Sequence, residues 1–199
     1  MILTDILKTS LLHSKFFKIK SELKDIFSWK DLENILNLRP FVEPNRFRIH
    51  NTTSDYSWVN DKWTLNDDSV PADVLETIVR ENFCSLLECS RVNYKINSIC
   101  SELDNLLDVV SDAHLYWTLD PKNQGVGEHK DSVNVLVLQI EGETEVSIED
   151  LGTYMLHPGD AIYIPSGKLH NFVSKTARLS ISFPMSKSQF KACRYWLKI

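Results

Sequence analysis

The chain has 199 residues, 43% of them hydrophobic, with 22 Lys plus Arg against 27 Asp plus Glu and a formal net charge of −5. That length and composition predict one globular domain, able to bury a core without disulfides, and exclude a disordered chain. The mildly acidic balance gives no electrostatic footprint for nucleic acid or an anionic membrane, and the longest apolar run, Val135–Leu138, is far short of the ~20 residues of a membrane span.

The N-terminus lacks a charged segment followed by an apolar core, so no signal peptide is read. Cys84, Cys89, Cys100 and Cys193 form neither a C-x-x-C pair nor a zinc spacing, and are expected to be reduced thiols. The expected location is therefore intracellular and cytoplasmic.

All six glycines fall between Gly125 and Gly167. Because glycine punctuates tight turns, the chain divides into a mostly helical part over 1–113 and a strand-rich part over 114–199, forming one structural domain. Ile2, Leu3, Ile6 and Leu7 recur at helical spacing, as do Phe16, Phe17, Ile19 and Leu23. Ser28 is a candidate N-cap for a helix over Trp29–Leu38, with Asp31 and Glu33 in its first turn and Pro40 beyond its end. Residues 41–70 read as irregular chain with two short strands. Pro71 opens a helix through Val74, Ile78 and Val79, and Ile96, Ile99, Leu103 and Leu106 mark another.

From His114 the period drops from 3.6 to about 2. Leu115–Leu119, Val133–Ile140, Thr144–Ile148, Thr153–Leu156, Ala161–Ile164, His170–Val173 and Ala177–Phe183 read as seven strands separated by glycines. Seven short strands with turns between them predict a small barrel or jelly roll.

Two segments carry chemistry. One runs Gly125, Val126, Gly127, Glu128, His129, Lys130, Asp131; the other holds Pro158, Gly159, Asp160, Pro165, Ser166, Gly167 and His170. Residues two apart in an extended strand face the same way, so His129 and Asp131 can aim at one point, and His170 from a neighbouring strand can complete the set. Two imidazoles and one carboxylate are the donor set of non-haem Fe(II) oxygenases, in which octahedral iron keeps three positions for a chelating co-substrate and dioxygen.

The second segment resembles the second cupin motif, G-x5-P-x-G-x2-H, through Gly159, Pro165, Gly167 and His170, with Ser174 where an Asn is usual. The first departs from the usual cupin pattern, because Asp131 replaces the second His and Val135 and Leu136 stand where a ligating Glu falls. Tyr116 to Pro121, Asn123 to Gly125, His129-x-Asp131 and Val135 to Gly142 are similar to JmjC-type hydroxylases, in particular the ribosomal-oxygenase branch. The helix beginning Phe27-Ser28-Trp29 also resembles that branch. The resemblance implies an α+β chain: a double-stranded β-helix (jelly-roll, cupin-like) core with N-terminal helices packed on it. It implies Fe(II), 2-oxoglutarate and dioxygen, and His129, Asp131 and His170 as catalytic metal ligands. It also implies hydroxylation of a protein or peptide, with a small-molecule substrate as the alternative. No nucleic-acid or membrane partner is expected, and the oligomeric state stays open.

In the resembled branch a basic residue after the His-x-Asp holds the distal carboxylate of 2-oxoglutarate, and here that position is Thr144. Arg178 and Ser180 resemble the Arg-x-Ser anchor of other 2-oxoglutarate oxygenases and are the substitute candidates. Tyr116, Thr144 and Tyr154 are secondary candidates for lining the same pocket. Two alternatives remain: a metal-dependent cupin isomerase or dioxygenase that takes no 2-oxoglutarate, and a non-catalytic cupin-like binding module.

Overall fold

The computed structural model describes residues 3–13, 16–21, 23–36, 47–51, 54–56, 76, 84–88, 91, 93–119 and 126–187. These hold three α-helices, α1 (Asp5–His13), α2 (Trp29–Leu36) and α3 (Tyr94–Leu107). The strands are β1 (Phe17–Lys20), β2 (Phe47–Asn51), β3 (Ser54–Tyr56), β4 (Cys84–Leu87), β5 (Val110–Ser111), β6 (His114–Thr118), β7 (His129–Lys130), β8 (Asn134–Glu141), β9 (Thr144–Ile148), β10 (Gly152–Leu156), β11 (Asp160–Ile164), β12 (Leu169–Ser174) and β13 (Arg178–Ser186). Of the helix expected after Pro71, Glu76 alone is described and it is helical; Val74, Ile78 and Val79 lie outside the described residues, as do Cys89 and Cys193.

Among the described residues the strands form two antiparallel sheets. The larger runs β1-β11-β8-β13-β6-β4-β2-β3, with β5 beside β13; the smaller runs β10-β9-β12-β7. Strand β8 shows why the order holds. Its central residues are buried on both faces. Val135 and Val137 pack toward the smaller sheet with Val146, Ile148, Leu156, Ile162 and Ile164. Leu136, Leu138 and Ile140 pack on the opposite face with Leu7, Ile96, Ile99 and Leu103 of the helices. A strand covered on both sides reads as a continuous apolar run rather than an alternating one, which is the meaning of Val135–Leu138. Strand β13 divides differently. Leu179, Ile181 and Phe183 join the helix-side core, while Arg178, Ser180 and Ser182 line a cavity on the other face.

The seven expected strands are present within a residue or two, except that β13 continues to Ser186. At the turn between β8 and β9, Gly142 has φ +73°, and a Cβ there would lie 1.8 Å from the Ala177 carbonyl oxygen. Only glycine fits that turn. Helix α2 follows its capping signal at Ser28, and α3 is capped by Asn93. The Asp31 amide donates to Ser28 Oγ at 3.3 Å, and the Lys95 and Ile96 amides donate to Asn93 Oδ1. On α1, Leu7 and Leu11 are buried together with Leu3 just before it, whereas Ile6 faces solvent.

One expected helix is instead a strand. Phe17–Lys20 pairs antiparallel with β11, Phe17 opposite Tyr163 and Lys20 opposite Asp160. Phe17 stacks on Tyr163 at 5.5 Å, and Lys18 and Lys20 both reach Asp160, at 3.0 and 3.4 Å. The alternation Phe-Lys-Ile-Lys, apolar then basic, outweighs the weak helical spacing of Phe16 to Leu23. The first 113 residues therefore also supply strands β1 to β5, all of them in the larger sheet. Among the described residues, no helix is long and apolar enough to cross a membrane.

Candidate metal centre and adjoining cavity

His129 lies on β7 and His170 directly opposite it on β12. Cross-strand partners present their side chains on one face, which brings the two imidazole rings to 4.4 Å between centroids. Asp131 follows one residue after β7, and its Oδ2 is 3.4 Å from His170 Nε2. One donor atom from each of His129, Asp131 and His170 lies within 4.8 Å of the others. The two ligand segments are tied by backbone: the Gly167 amide donates to the Asp131 carbonyl at 2.8 Å. Gly167 has φ +80°, so the Pro165–Gly167 turn needs a residue without a Cβ to close on Asp131 in this way.

The hydrogen bonds fix the imidazole tautomers. His129 Nδ1 lies 2.9 Å from the Gly127 carbonyl oxygen, and His170 Nδ1 lies 2.9 Å from that of Lys168. A carbonyl only accepts, so each Nδ1 carries the proton and each Nε2 presents a lone pair. Burial, with the neighbouring His129, holds His170 below the usual histidine range, against the upward pull of the Lys168 carbonyl and of Asp131. Two imidazoles and one carboxylate converging at these distances suit a divalent ion that accepts nitrogen and oxygen donors, with the remaining positions open.

The three residues sit in the wall of a cavity of about 480 Å³, its open mouth included. Val135, Val137 and Phe172 give it an apolar side, and His170 meets the edge of Phe172 at 5.7 Å. Tyr116, Arg178, Ser180 and Ser182 give it a polar side. Burial keeps the Tyr116 phenol above its ordinary range, with Asp131 adding to the effect, so it remains a hydroxyl donor.

Arg178 is 2% exposed. Its Nη2 donates to Cys84 Sγ at 3.5 Å, and its Nε has no partner among the described residues. A buried cation held only by a weak sulfur acceptor is costly unless an anion completes it.

Ser180 lines the same wall, but its hydroxyl donates to Gln139 Oε1 at 3.1 Å. Gln139 is fixed in turn, its amide donating to the carbonyls of Glu141 and Gly142. Ser180 can serve an anion only by turning its proton away from Gln139. Thr144 is fully buried on β9, opposite Leu156 and Ser174, and its hydroxyl lacks a partner among the described residues. It is not among the residues lining the cavity.

The structure thus brings His129, Asp131, His170, Tyr116, Arg178 and Ser180 to one cavity and leaves Thr144 and Tyr154 outside its wall, the Tyr154 hydroxyl donating to the Leu151 carbonyl instead. Sequence reasoning missed Cys84 and Gln139, which hold Arg178 and Ser180, and Ser182 and Phe172 in the wall. The signal for Ser182 was present, since Arg178, Ser180 and Ser182 alternate with Leu179, Ile181 and Phe183.

Residues 115–182 match the cupin domain family. The chain is 33% identical over 96 residues to the bifunctional lysine-specific demethylase and histidyl-hydroxylase NO66 of Branchiostoma floridae, a match covering 45% of this chain and 15% of that protein. It is 26% identical over 149 residues to NO66 of Drosophila persimilis, covering 63% of this chain and 22% of that protein. In structure it is similar to YcfD, a ribosomal oxygenase from Escherichia coli, in complex with cobalt and 2-oxoglutarate. The TM-score is 0.65 at 16% identity, covering 96% of this chain and 54% of that one. The complex of the same oxygenase with cobalt and succinic acid gives a TM-score of 0.65 at 16% identity, with 96% and 53% covered. The chain spans under a quarter of the curated relatives it matches and about half of the oxygenase. Residues 115–182 are thus similar to a cupin domain, part of the chain is similar to NO66 proteins, and the chain shares the fold of the ribosomal oxygenase.

Proposed function

We propose that this cupin-domain chain is an Fe(II)- and 2-oxoglutarate-dependent oxygenase that hydroxylates a protein or peptide, or else a small molecule. The observation that carries this reading is a single cavity whose wall holds both a His–Asp–His focus and a buried guanidinium. His129 Nε2, Asp131 and His170 Nε2 would hold the iron. When bound, ferrous iron supplies the redox chemistry that couples oxidative decarboxylation of 2-oxoglutarate to hydroxylation of a substrate C–H bond.

The chain's own residues bind, orient and exclude water. Arg178 pairs with the distal carboxylate of 2-oxoglutarate by charge-assisted hydrogen bonds, replacing the cation absent at Thr144. The Tyr116 hydroxyl adds a neutral donor on the same side. Ser180 contributes after releasing Gln139. Val135, Val137 and Phe172 form a dry wall beside the metal ligands, which excludes water from the reacting centre. The Gly127 and Lys168 carbonyls keep both imidazoles in the ligating tautomer.

The test is succinate release from 2-oxoglutarate with Fe(II) present. Wild-type protein should form succinate only when both are supplied, and Asp131→Ala should form none above background. Equal succinate from both proteins overturns the assignment. The neutral Thr144 favours a second reading, a metal-dependent cupin enzyme that takes no 2-oxoglutarate. Under that reading, added 2-oxoglutarate leaves the spectrum of the Mn(II)-loaded site unchanged.

A further inference from the structure

We infer that Cys84 is a positioning residue for the anion anchor: its thiol sets the direction of the Arg178 guanidinium without cancelling its charge. The inference rests on the proposed role of Arg178 toward 2-oxoglutarate.

The geometry begins with sheet register. Arg178 on β13 lies opposite Thr118 on β6. Ser85 on β4 lies opposite Trp117 on the other side of β6. Carried one residue further, that register sets Cys84 across from Thr118, so Cys84, Thr118 and Arg178 form one row across three strands. Members of such a row present their side chains on one face. Arg178 and Cys84 therefore share a face two strands apart, and Arg178 Nη2 reaches Cys84 Sγ at 3.5 Å. Cys84 is fully buried and Arg178 nearly so, and Arg178 Nε is left without a partner among the described residues.

The choice of sulfur matters chemically. A thiol is a weak acceptor, so it occupies one N–H of the fork and leaves the others for a ligand. A carboxylate at the same place would take the fork bidentately and neutralise it. A methyl group would offer no acceptor and leave the long side chain unguided. Burial raises the Cys84 thiol above its usual range, although Arg178 opposes this, which keeps the sulfur uncharged.

The ordinary alternative is that Cys84 only fills core volume, as buried cysteines often do. Three substitutions separate the two roles: Cys84→Ser, Cys84→Ala and Cys84→Asp. The measurements are 2-oxoglutarate affinity of the Mn(II)-loaded protein by calorimetry, Mn(II) affinity, and melting temperature. Positioning predicts that Ser, which retains an acceptor, stays within about 3-fold of wild type in 2-oxoglutarate affinity, that Ala weakens it about 3- to 10-fold, and that Asp weakens it at least about 30-fold. Mn(II) affinity should stay constant throughout. If Ser and Ala weaken binding equally, or Asp binds as wild type does, the inference is overturned; the Ser and Ala pair alone decides should Asp not fold. Arg178→Gln separates this from the underlying reading. If that variant binds 2-oxoglutarate normally, the anchor assignment fails and Cys84 with it. If it loses binding while Cys84→Asp does not, only the Cys84 role fails.

Discussion

The two ends of the cavity are built on different principles. At the metal end, each imidazole is oriented by a carbonyl two residues earlier in its own chain, and the turn carrying His170 is pinned to the backbone of Asp131. At the other end, a buried guanidinium donates to the Cys84 thiol, and its Nε is unmatched among the described residues. Local hydrogen bonds pre-organise the first end before any ion arrives. At the second, Arg178 Nε lacks a partner among the described residues, which suits it to an incoming anion. Local geometry of the first kind can be encoded in a few neighbouring residues, whereas the second needs side chains from three strands of the larger sheet.

Substitutions should separate the ends, the largest effect coming from the metal side. Loss of even an outer partner of a metal ligand costs ~10–100-fold, so Asp131→Ala should lower turnover by more than about 100-fold. Steady-state succinate release checks this, and the variant should keep its fold by circular dichroism. Next, Arg178→Gln should raise the KM for 2-oxoglutarate about 30-fold or more, the cost of removing one partner of a buried charged hydrogen bond. Its Mn(II) affinity should not change. If both affinities fall together, the two ends are not independent and the comparison breaks.

The same contrast predicts a stability effect of unusual sign. Arg178 is buried with an incomplete partner set, so Arg178→Met should leave the ligand-free protein as stable as wild type or more stable by about 1 kcal/mol. Chemical denaturation measures this. A loss of several kcal/mol would mean that the guanidinium is a structural element of the core.

A smaller effect concerns pH. The folded-state pKa of His170 lies below the ordinary 6.5. As pH falls through 6.5 the unfolded chain takes up this proton first, so the contribution of His170 to metal-free stability is present above 6.5 and is lost below it. A His170→Asn variant should show a shallower stability loss between pH 7 and pH 5. An identical pH profile would remove His170 as the source.

The sequence was most readable where the physics is local. His129-x-Asp131 needs only an extended stretch to align its side chains, and the Pro165–Gly167 turn announces its own geometry. Thr144–Ile148 was legible to the residue because its burial alternates strictly, with Thr144, Val146 and Ile148 buried. The Phe17–Lys20 strand was hidden by its brevity: four residues match helical and strand periods almost equally until β11 is there to pair with. Strands β5 and β7, two residues each, carry no periodic signal at all. The polar wall was half legible. Spacing alone put Arg178 and Ser180 on one face, but that Ser180 donates to Gln139, 41 residues earlier in the chain, depends on the register of β13 against β8. Cys84 was legible only as a core residue, because its contact with Arg178 spans 94 residues.

Mn(II) titration of the metal-free protein, followed by electron paramagnetic resonance, reads out whether His129, Asp131 and His170 bind one metal ion together. Wild-type protein should bind one Mn(II) per chain, and His129→Ala, Asp131→Ala and His170→Ala should each lose that binding. Absence of Mn(II) binding in the wild type, or equal binding by all four proteins, would contradict it.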